Sequence, residues 1–230
     1  MKKTAFILCF ISISLITNAQ KFETNISVSP IMTFGSNVTS DNAAGSKIAI
    51  GFSGAISEFY NVSNKFAIGT ELNYAYNNYI ITYSYMGVRT MEANSNWFYK
   101  SKINTQSLNI PLFLRFKTKN NWIFQLGFGV TYILNSKSHV DFVVSDWSNN
   151  NEEFTTVASK NDCLNKDFNN YINITLGKRF SIVKAKMFAE IYYEKAFQNY
   201  SFEHNGIKSE FNYIYKLNPQ HLGLKIGIEL

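Results

Sequence analysis

The sequence predicts an all-β protein, an eight-stranded antiparallel up-and-down transmembrane β-barrel with short periplasmic turns and long extracellular loops. Three observations predict this fold: apolar residues alternate with small or polar ones in eight segments, short and long links between segments alternate, and the chain ends on such a segment. Because successive strand residues point to opposite faces, each segment has one apolar face. That face would contact acyl chains, and the other would line the barrel.

The clearest segment runs from Trp122 to Leu134. Starting at Trp122, every second residue is apolar or aromatic, and the residues between them include Gly127 and Gly129. Its thirteen residues, at about 3.3 Å each, reach roughly 43 Å. A strand of that length crosses a bilayer core of about 30 Å at a tilt near 45°. We therefore interpret it as a membrane-spanning strand.

The other segments repeat the two-residue period less cleanly. They cover residues 22–34, 47–59, 65–76, 108–117, 170–179, 184–197 and 222–230. Pro30 interrupts the first of them, which is tolerable near a strand end or a bulge. The segment 184–197 alternates least well, because Phe188 and Tyr192 share a face with Lys186, Glu190 and Glu194.

The links between segments differ in length in a regular way. Short links cover residues 60–64, 118–121 and 180–183, and long links cover residues 35–46, 77–106, 136–169 and 198–218. Outer-membrane barrels have short periplasmic turns and longer extracellular loops, so both termini would face the periplasm. The long links are polar and aromatic, as in Tyr79–Tyr85. They are either partner-binding surfaces or strands that continue above the membrane, and both interpretations stay open.

The N-terminus predicts export. A basic start, Met1–Lys3, precedes the apolar run Ala5–Ile16 and the small residues that end at Ala19. This is the pattern of a secretory signal peptide, residues 1–19, cleaved after Ala19 to leave a barrel domain of residues 20–230. The run is too short for a membrane-anchoring helix. Cys9 lies within it, so the mature chain would keep Cys163 alone and form no internal disulfide.

Composition excludes several classes of protein. The formal net charge of +6 is spread along the chain without a basic run, which argues against a nucleic acid partner. No apolar run after Ala19 approaches 18 residues, so we expect no transmembrane helix. Aromatic residues make up 16% of the sequence and there are only three prolines, which suits a β-rich chain.

A secreted, lipocalin-like barrel is the alternative, with its apolar face turned inward. Its outer face would then be rich in Lys, Glu and Asp. The second face is instead mainly Gly, Ala, Ser, Thr and Asn, and includes the glycines Gly51, Gly69, Gly127, Gly129, Gly223 and Gly227. Such residues suit a narrow interior where larger side chains would collide, which favours the membrane barrel.

Charged residues recur on the face predicted to line the interior. They are Glu71, Arg115, Arg179, Lys186, Glu190, Lys225 and Glu229. Because an unpaired buried charge is costly, Glu71 and Glu190 should pair with Arg115, Lys186 or Lys225. An eight-stranded interior is just wide enough to be filled by side chains. The charges would form either a salt-bridge plug or a gate for ions.

Aromatic residues on the apolar face predict two interfacial girdles. Phe66, Phe116 and Trp122 lie beside the short turns, and Tyr76, Tyr132 and Tyr193 lie at the far ends of their strands.

The residues that carry chemistry do not form a catalytic pattern. The histidines are His139, His204 and His221, and no His-x-Ser pair lies on a predicted strand. No His, Cys and Asp cluster has metal-ligand spacing, and no Gly-rich phosphate loop precedes a helix. We therefore expect neither an enzyme nor a metal or cofactor.

Four stretches resemble a known family. They are Asn18–Gln20, the Leu108–Phe116 run with its Ile-Pro-Leu step, Gly127–Val130 with Tyr132, and Leu222–Gly227. With these, the chain resembles the PorT-like outer-membrane barrels, among the small OmpA- and OmpX-type barrels of Gram-negative bacteria. It departs from many outer-membrane barrels in ending on Leu230 rather than an aromatic residue.

The resemblance implies an integral protein of the cell outer membrane with no activity common to the family, some of whose relatives serve secretion or gliding systems. We expect a monomer with a structural or surface-interaction role through its extracellular loops. Its partners would be membrane lipids and lipopolysaccharide, the barrel-insertion machinery, and an extracellular or secretion-system protein. The alternatives are a narrow porin for small solutes or ions, and an outer-membrane enzyme acting on lipid or peptide.

Overall fold

The computed structural model describes residues 22–37, 44–86, 95–146, 151–156, 168–183, 185–204 and 213–230. The predicted signal peptide and Cys163 lie outside these ranges. Within them, no helix has the length and apolar character to cross a bilayer.

Antiparallel strands build a closed barrel. They are β1 (Phe22–Asn37), β2 (Ala44–Lys47), β3 (Ala49–Asn61), β4 (Phe66–Met86), β5 (Ser95–Lys117), β6 (Trp122–Asp146), β7 (Asn151–Thr156), β8 (Phe168–Ile182), β9 (Ala185–Ala196), β10 (Tyr200–His204) and β11 (Tyr213–Glu229). Eight of these form the wall in the order β1-β3-β4-β5-β6-β8-β9-β11, and β11 pairs back onto β1. The predicted fold class is confirmed.

At the end of the barrel with long links, which we call the upper end, the strands extend beyond the segments that the alternation predicted. The β4–β5 ladder continues to the pair Met86 and Asn96, and β2, β7 and β10 pair with the upper parts of β4, β6 and β11. Most of the predicted link 77–106 is therefore strand, including Tyr79–Tyr85. The apolar period fades there because both faces of a ladder beyond the bilayer can be polar or aromatic, whereas backbone pairing continues.

The pairing register sets the tilt of the strands. A row of paired residues starts at Glu23 and returns to β1 ten residues further on, at Thr33. Its members between these two are Phe59, Gly69, Phe113, Gly127, Asn173, Glu194 and His221. A stagger of ten residues over eight strands, at about 3.3 Å per residue and about 4.8 Å per strand, tilts the strands by roughly 40°.

The apolar face points outward. Leu112 is 63% exposed and Leu126 is 52% exposed, whereas Gly127 and Gly227 are buried. A water-soluble barrel would have the opposite arrangement, so the lipocalin-like alternative is excluded. The exposed apolar residues form a continuous outer belt, which suits contact with acyl chains.

Glycines make room for large side chains inside the barrel. A Cβ atom added to Gly223 would lie 2.3 Å from the Tyr192 ring, and one on Gly227 would lie 2.4 Å from the Phe188 ring. This close approach explains the poor alternation of β9. Phe188 and Tyr192 face inward with Glu190, and the neighbouring glycines of β11 leave the space that their rings occupy.

Candidate functional site in the barrel interior

Glu23 is the centre of an ion-pair layer at the end of the barrel with short turns. Its carboxylate pairs with Arg115 and Arg179, and lies 2.6 Å from Lys117 Nζ. Arg179 also lies 3.3 Å from Glu229. Sequence reasoning missed Glu23. It could have been found, because Glu23 is in phase with Asn25, Ser27 and Ser29 on the inward face of β1.

A second layer of charges fills the middle of the barrel. Lys225 Nζ lies 2.7 Å from Glu71 Oε2, and both side chains are buried. Glu190 accepts a 2.9 Å hydrogen bond from Gln125 Nε2 and lies 3.9 Å from Arg115 Nη2. Since Arg115 also pairs with Glu23, it joins the two layers into one cluster.

Lys186 lies outside this buried cluster. Its side chain is 69% exposed and its ammonium lies 3.4 Å from Glu229. Although Lys186 is in phase with Glu190 on β9, it lies at the mouth of the barrel, where the ammonium reaches water. The interior partners are therefore Lys225 for Glu71 and Arg115 for Glu190.

Aromatic rings pack between the charges. The Arg115 guanidinium lies 3.2 Å from the centroid of the Phe59 ring, and Lys225 Nζ lies 5.4 Å from that of Tyr192. Ser29 Oγ in turn donates a 3.1 Å hydrogen bond to the Tyr192 hydroxyl. Such cation–π and hydrogen-bond contacts stabilise charges that have left bulk water.

His221 lies between an acid and a hydroxyl above the charged layers. His221 Nδ1 is 3.8 Å from Glu194 Oε2, and His221 Nε2 is 2.8 Å from the Tyr79 hydroxyl. An acid, an imidazole and a hydroxyl in that order are the elements of a hydrolase triad. Here the hydroxyl belongs to a buried tyrosine inside the barrel, away from the lipid-facing surface. The other histidines lie in the upper extension, His139 on β6 and His204 on β10.

An apolar cluster lies in the interior towards the end with long links. Its members are Tyr79, Ile81, Ile103, Ile133, Tyr200 and Leu217, all buried. The rings of Tyr79 and Tyr200 meet edge to face with centroids 6.5 Å apart. Burial raises the pKa of the Tyr200 phenol, so it stays neutral. We call this group the apolar cap.

A polar wall lies between the charged layers and the apolar cap. It is formed by side chains of β4 and β5 that carry buried oxygen atoms with no hydrogen-bond partner among the described residues: Asn73, Asn77, Ser107 and Asn109. Buried polar groups of this kind usually bind ordered water. In the described ranges, no group of three or more His, Cys, Asp or Glu side chains could hold a metal ion.

The predicted girdle residues lie on the outer surface at the two ends of the apolar belt. Phe66, Phe116 and Trp122 are exposed beside the short turns, and the Phe66 and Phe116 rings are 5.2 Å apart. Tyr76 and Tyr132 are exposed at the other end, where the partly exposed Tyr193 donates a 2.7 Å hydrogen bond to Gln220.

Sequence comparison identifies the family of this closed barrel. A family model of the outer membrane protein β-barrel domain matches residues 18–230. The chain belongs to this family. Membership locates the protein in the outer membrane and agrees with the outward apolar belt. No curated protein matches the sequence.

The solved structures to which the chain is similar are distant in sequence. Outer membrane protein OprG from Pseudomonas aeruginosa is 9% identical with a TM-score of 0.46, covering 91% of this chain and 97% of its own. Neisserial surface protein A is 11% identical with a TM-score of 0.40, covering 90% and 97%. Ail, the attachment invasion locus protein of Yersinia pestis, is 10% identical with a TM-score of 0.37, covering 91% and 99%.

Proposed function

We propose that this protein is a non-catalytic outer-membrane barrel with a closed interior, which acts through its extracellular hairpins in a structural or surface-interaction role. The observation that carries this proposal is the sequence of filled layers along the interior: the Glu23 layer, the Glu71–Lys225 layer and the apolar cap. The hairpins continue beyond these layers. The extracellular hairpins, and not the barrel interior, would therefore carry the function.

The charged layers are expected to resist ion flow. An ion that passes must separate Glu71 from Lys225 or Glu23 from its cations, and a buried charge that loses its partner is strongly unfavourable. The apolar cap adds buried apolar side chains above them. These contacts support a plug rather than a gate.

The hairpin of β4 and β5 offers a long surface above the membrane. From the girdle residue Tyr76, β4 continues for ten residues to Met86, paired with β5 throughout. At the strand tilt given above, this is a rise of roughly 25 Å. The proposed partner is an extracellular or secretion-system protein, which fits the likeness to PorT-like barrels. Because the hairpin is already a paired ladder, its own loss of conformational entropy on binding this partner would be small.

Export, maturation and membrane insertion complete the proposal. Residues 1–19 would act as a signal peptide, the barrel-insertion machinery would fold residues 20–230 as a monomer, and membrane lipids with lipopolysaccharide would surround it. N-terminal sequencing of the protein purified from outer membranes, with gel mobility before and after boiling, tests this part. We expect a chain that starts at Gln20 and migrates differently when unboiled. A chain that starts at Met1 would contradict the signal peptide.

Planar-bilayer recording tests the closed interior. The refolded wild type should produce no discrete conductance steps, and the double variant E71Q/E190Q should produce steps because it weakens the charged layers. Steps in the wild type that persist unchanged in the double variant would show that ions bypass these layers. That result would contradict a plug.

A narrow pore is the second candidate, and the polar wall is the observation that favours it. Its unpartnered oxygen atoms could line a water-filled path beside the charged residues. This candidate predicts wild-type conductance that falls when Asn109 is replaced by leucine. A silent wild type would contradict it.

A further inference from the structure

A groove lies on the outside of the barrel at the end with short turns. It has a volume of about 420 Å³ and is lined by Thr118, Asn120, Trp122, Phe124 and Leu176. The turn between β5 and β6 forms one wall and the outward side chains of β6 and β8 form the other. The groove faces the bilayer and is separate from the interior site.

Polarity changes along the groove as it does along a lipid molecule. The turn end carries the Thr118 hydroxyl and the Asn120 amide, whereas Phe124 and Leu176 line the end nearer the bilayer centre. Thr118 Oγ1 accepts a 3.1 Å hydrogen bond from the Trp122 backbone N–H. That bond fixes the hydroxyl oxygen and leaves its hydrogen free to donate to a ligand.

Lys178 supplies a positive charge beside the polar end. It pairs with Trp122 in the β6–β8 ladder, and its Nζ lies 5.5 Å from the centroid of the Trp122 ring. Among the other cations at this end, Lys117, Arg179 and Lys186 each have a carboxylate partner, whereas Lys65 and Lys119 of the short turns show none among the described residues. Lys178 likewise has no carboxylate partner in the part of the chain that the structure describes. The contact with the Trp122 ring is what places Lys178 at the groove. Its ammonium is thus available to an anion from outside the protein.

We propose that this groove binds one anionic phospholipid of the periplasmic leaflet. Its phosphate would contact the Lys178 ammonium, the Asn120 amide and the Thr118 hydroxyl, and one acyl chain would lie along Phe124 and Leu176. The choice of leaflet rests on the proposed function, in which the short turns face the periplasm. An interfacial lysine contributes about 1 kcal/mol of attraction to an anionic lipid surface, which is about fivefold in affinity.

Native mass spectrometry of the refolded protein, released from mixed vesicles of phosphatidylglycerol and phosphatidylcholine with matched acyl chains, tests the site. We expect one retained phosphatidylglycerol, favoured about fivefold over phosphatidylcholine. K178Q should abolish this preference. K65Q, which removes a lysine from the β3–β4 turn at the same end, should leave it unchanged.

Two results would overturn the site. Equal retention of both lipids by the wild type would show that the protein does not prefer the anionic lipid. Equal losses of that preference in K178Q and K65Q would show diffuse electrostatic attraction instead of a site at Lys178.

Both lipids are present in each vesicle leaflet, so the orientation of the barrel in the vesicle does not affect this outcome. Orientation is tested separately by labelling N120C, in a C163S background, with a membrane-impermeant maleimide. Labelling in intact cells would contradict the periplasmic turn without contradicting the lipid site.

Discussion

The ammonium of Lys225 lies 2.7 Å from the carboxylate of Glu71, across the barrel interior between β11 and β4. Both side chains are buried, so neither charge can use water in place of its partner. We therefore expect E71Q to lower the free energy of unfolding by about 3–5 kcal/mol, because it leaves an uncompensated ammonium. Urea unfolding of the barrel in lipid vesicles measures this change.

Two further variants make that result specific. The double variant E71L/K225M removes both charges and should recover most of the lost stability. E58Q removes an acid near the short turns for which the structure shows no ion pair among the described residues, and it should change stability by less than about 0.5 kcal/mol. A double variant as unstable as E71Q alone would contradict the ion pair as the cause.

The packing of Tyr192 against Gly223 gives a second prediction. A methyl group on Gly223 would overlap the Tyr192 ring, so G223A should destabilise the barrel by about 1–3 kcal/mol. G54A is the matched control, because a Cβ at Gly54 meets nothing closer than 4.0 Å. Unfolding in urea compares the two variants. Equal effects would show that backbone freedom, not the tyrosine ring, requires glycine at position 223.

The carboxylate of Glu23 is shared by three cations, which gives a third prediction. E23Q leaves Arg115, Lys117 and Arg179 without their common partner. We expect it to cost about 3–5 kcal/mol of stability and to raise ion conductance. E229Q, at the more exposed end of the same layer, should cost about 1 kcal/mol or less. Similar losses for the two variants would mean that Glu23 is not the centre of the layer.

The depth of the outer belt gives a fourth prediction. Leu126 lies about midway between the girdle residues Trp122 and Tyr132 of β6, whereas Leu134 lies beyond Tyr132; both are exposed. L126R should destabilise the inserted barrel by about 2–4 kcal/mol, and L134R by about 1 kcal/mol or less. Refolding equilibria in vesicles measure both. A larger loss for L134R would contradict the proposed position of the bilayer.

The sequence predicted the barrel wall well because lipid imposes a strict two-residue period on every spanning strand. Trp122–Leu134 shows it most clearly, and this stretch lies entirely within β6. The period is lost above Tyr76, where lipid no longer selects one face, so the hairpin of β4 and β5 could not be distinguished from loop. The structure reveals this hairpin, because β4 and β5 stay paired as far as Met86 and Asn96.

Interior residues were harder to predict because facing strands decide which of them meet. Glu71 and Lys225 could be placed on the inward face from the sequence. Their pairing depends on the stagger of the strands, which brings these two positions of β4 and β11 to the same height in the barrel. Lys186 has the same phase as Glu190 and still lies in water, because height along the axis separates them. The inward orientation of Phe188 and Tyr192 depends on glycines in β11 that are far away in sequence.

Lipid contact along β6 tests the central claim most directly. Single cysteines at positions 122 to 134, in a C163S background, would carry a fluorophore quenched by brominated acyl chains. Strong quenching should alternate with a period of two, high at Phe124, Leu126, Phe128 and Val130 and low at Gln125, Gly127 and Gly129. High quenching at the glycine positions and low quenching at Phe124 and Leu126 would contradict the account.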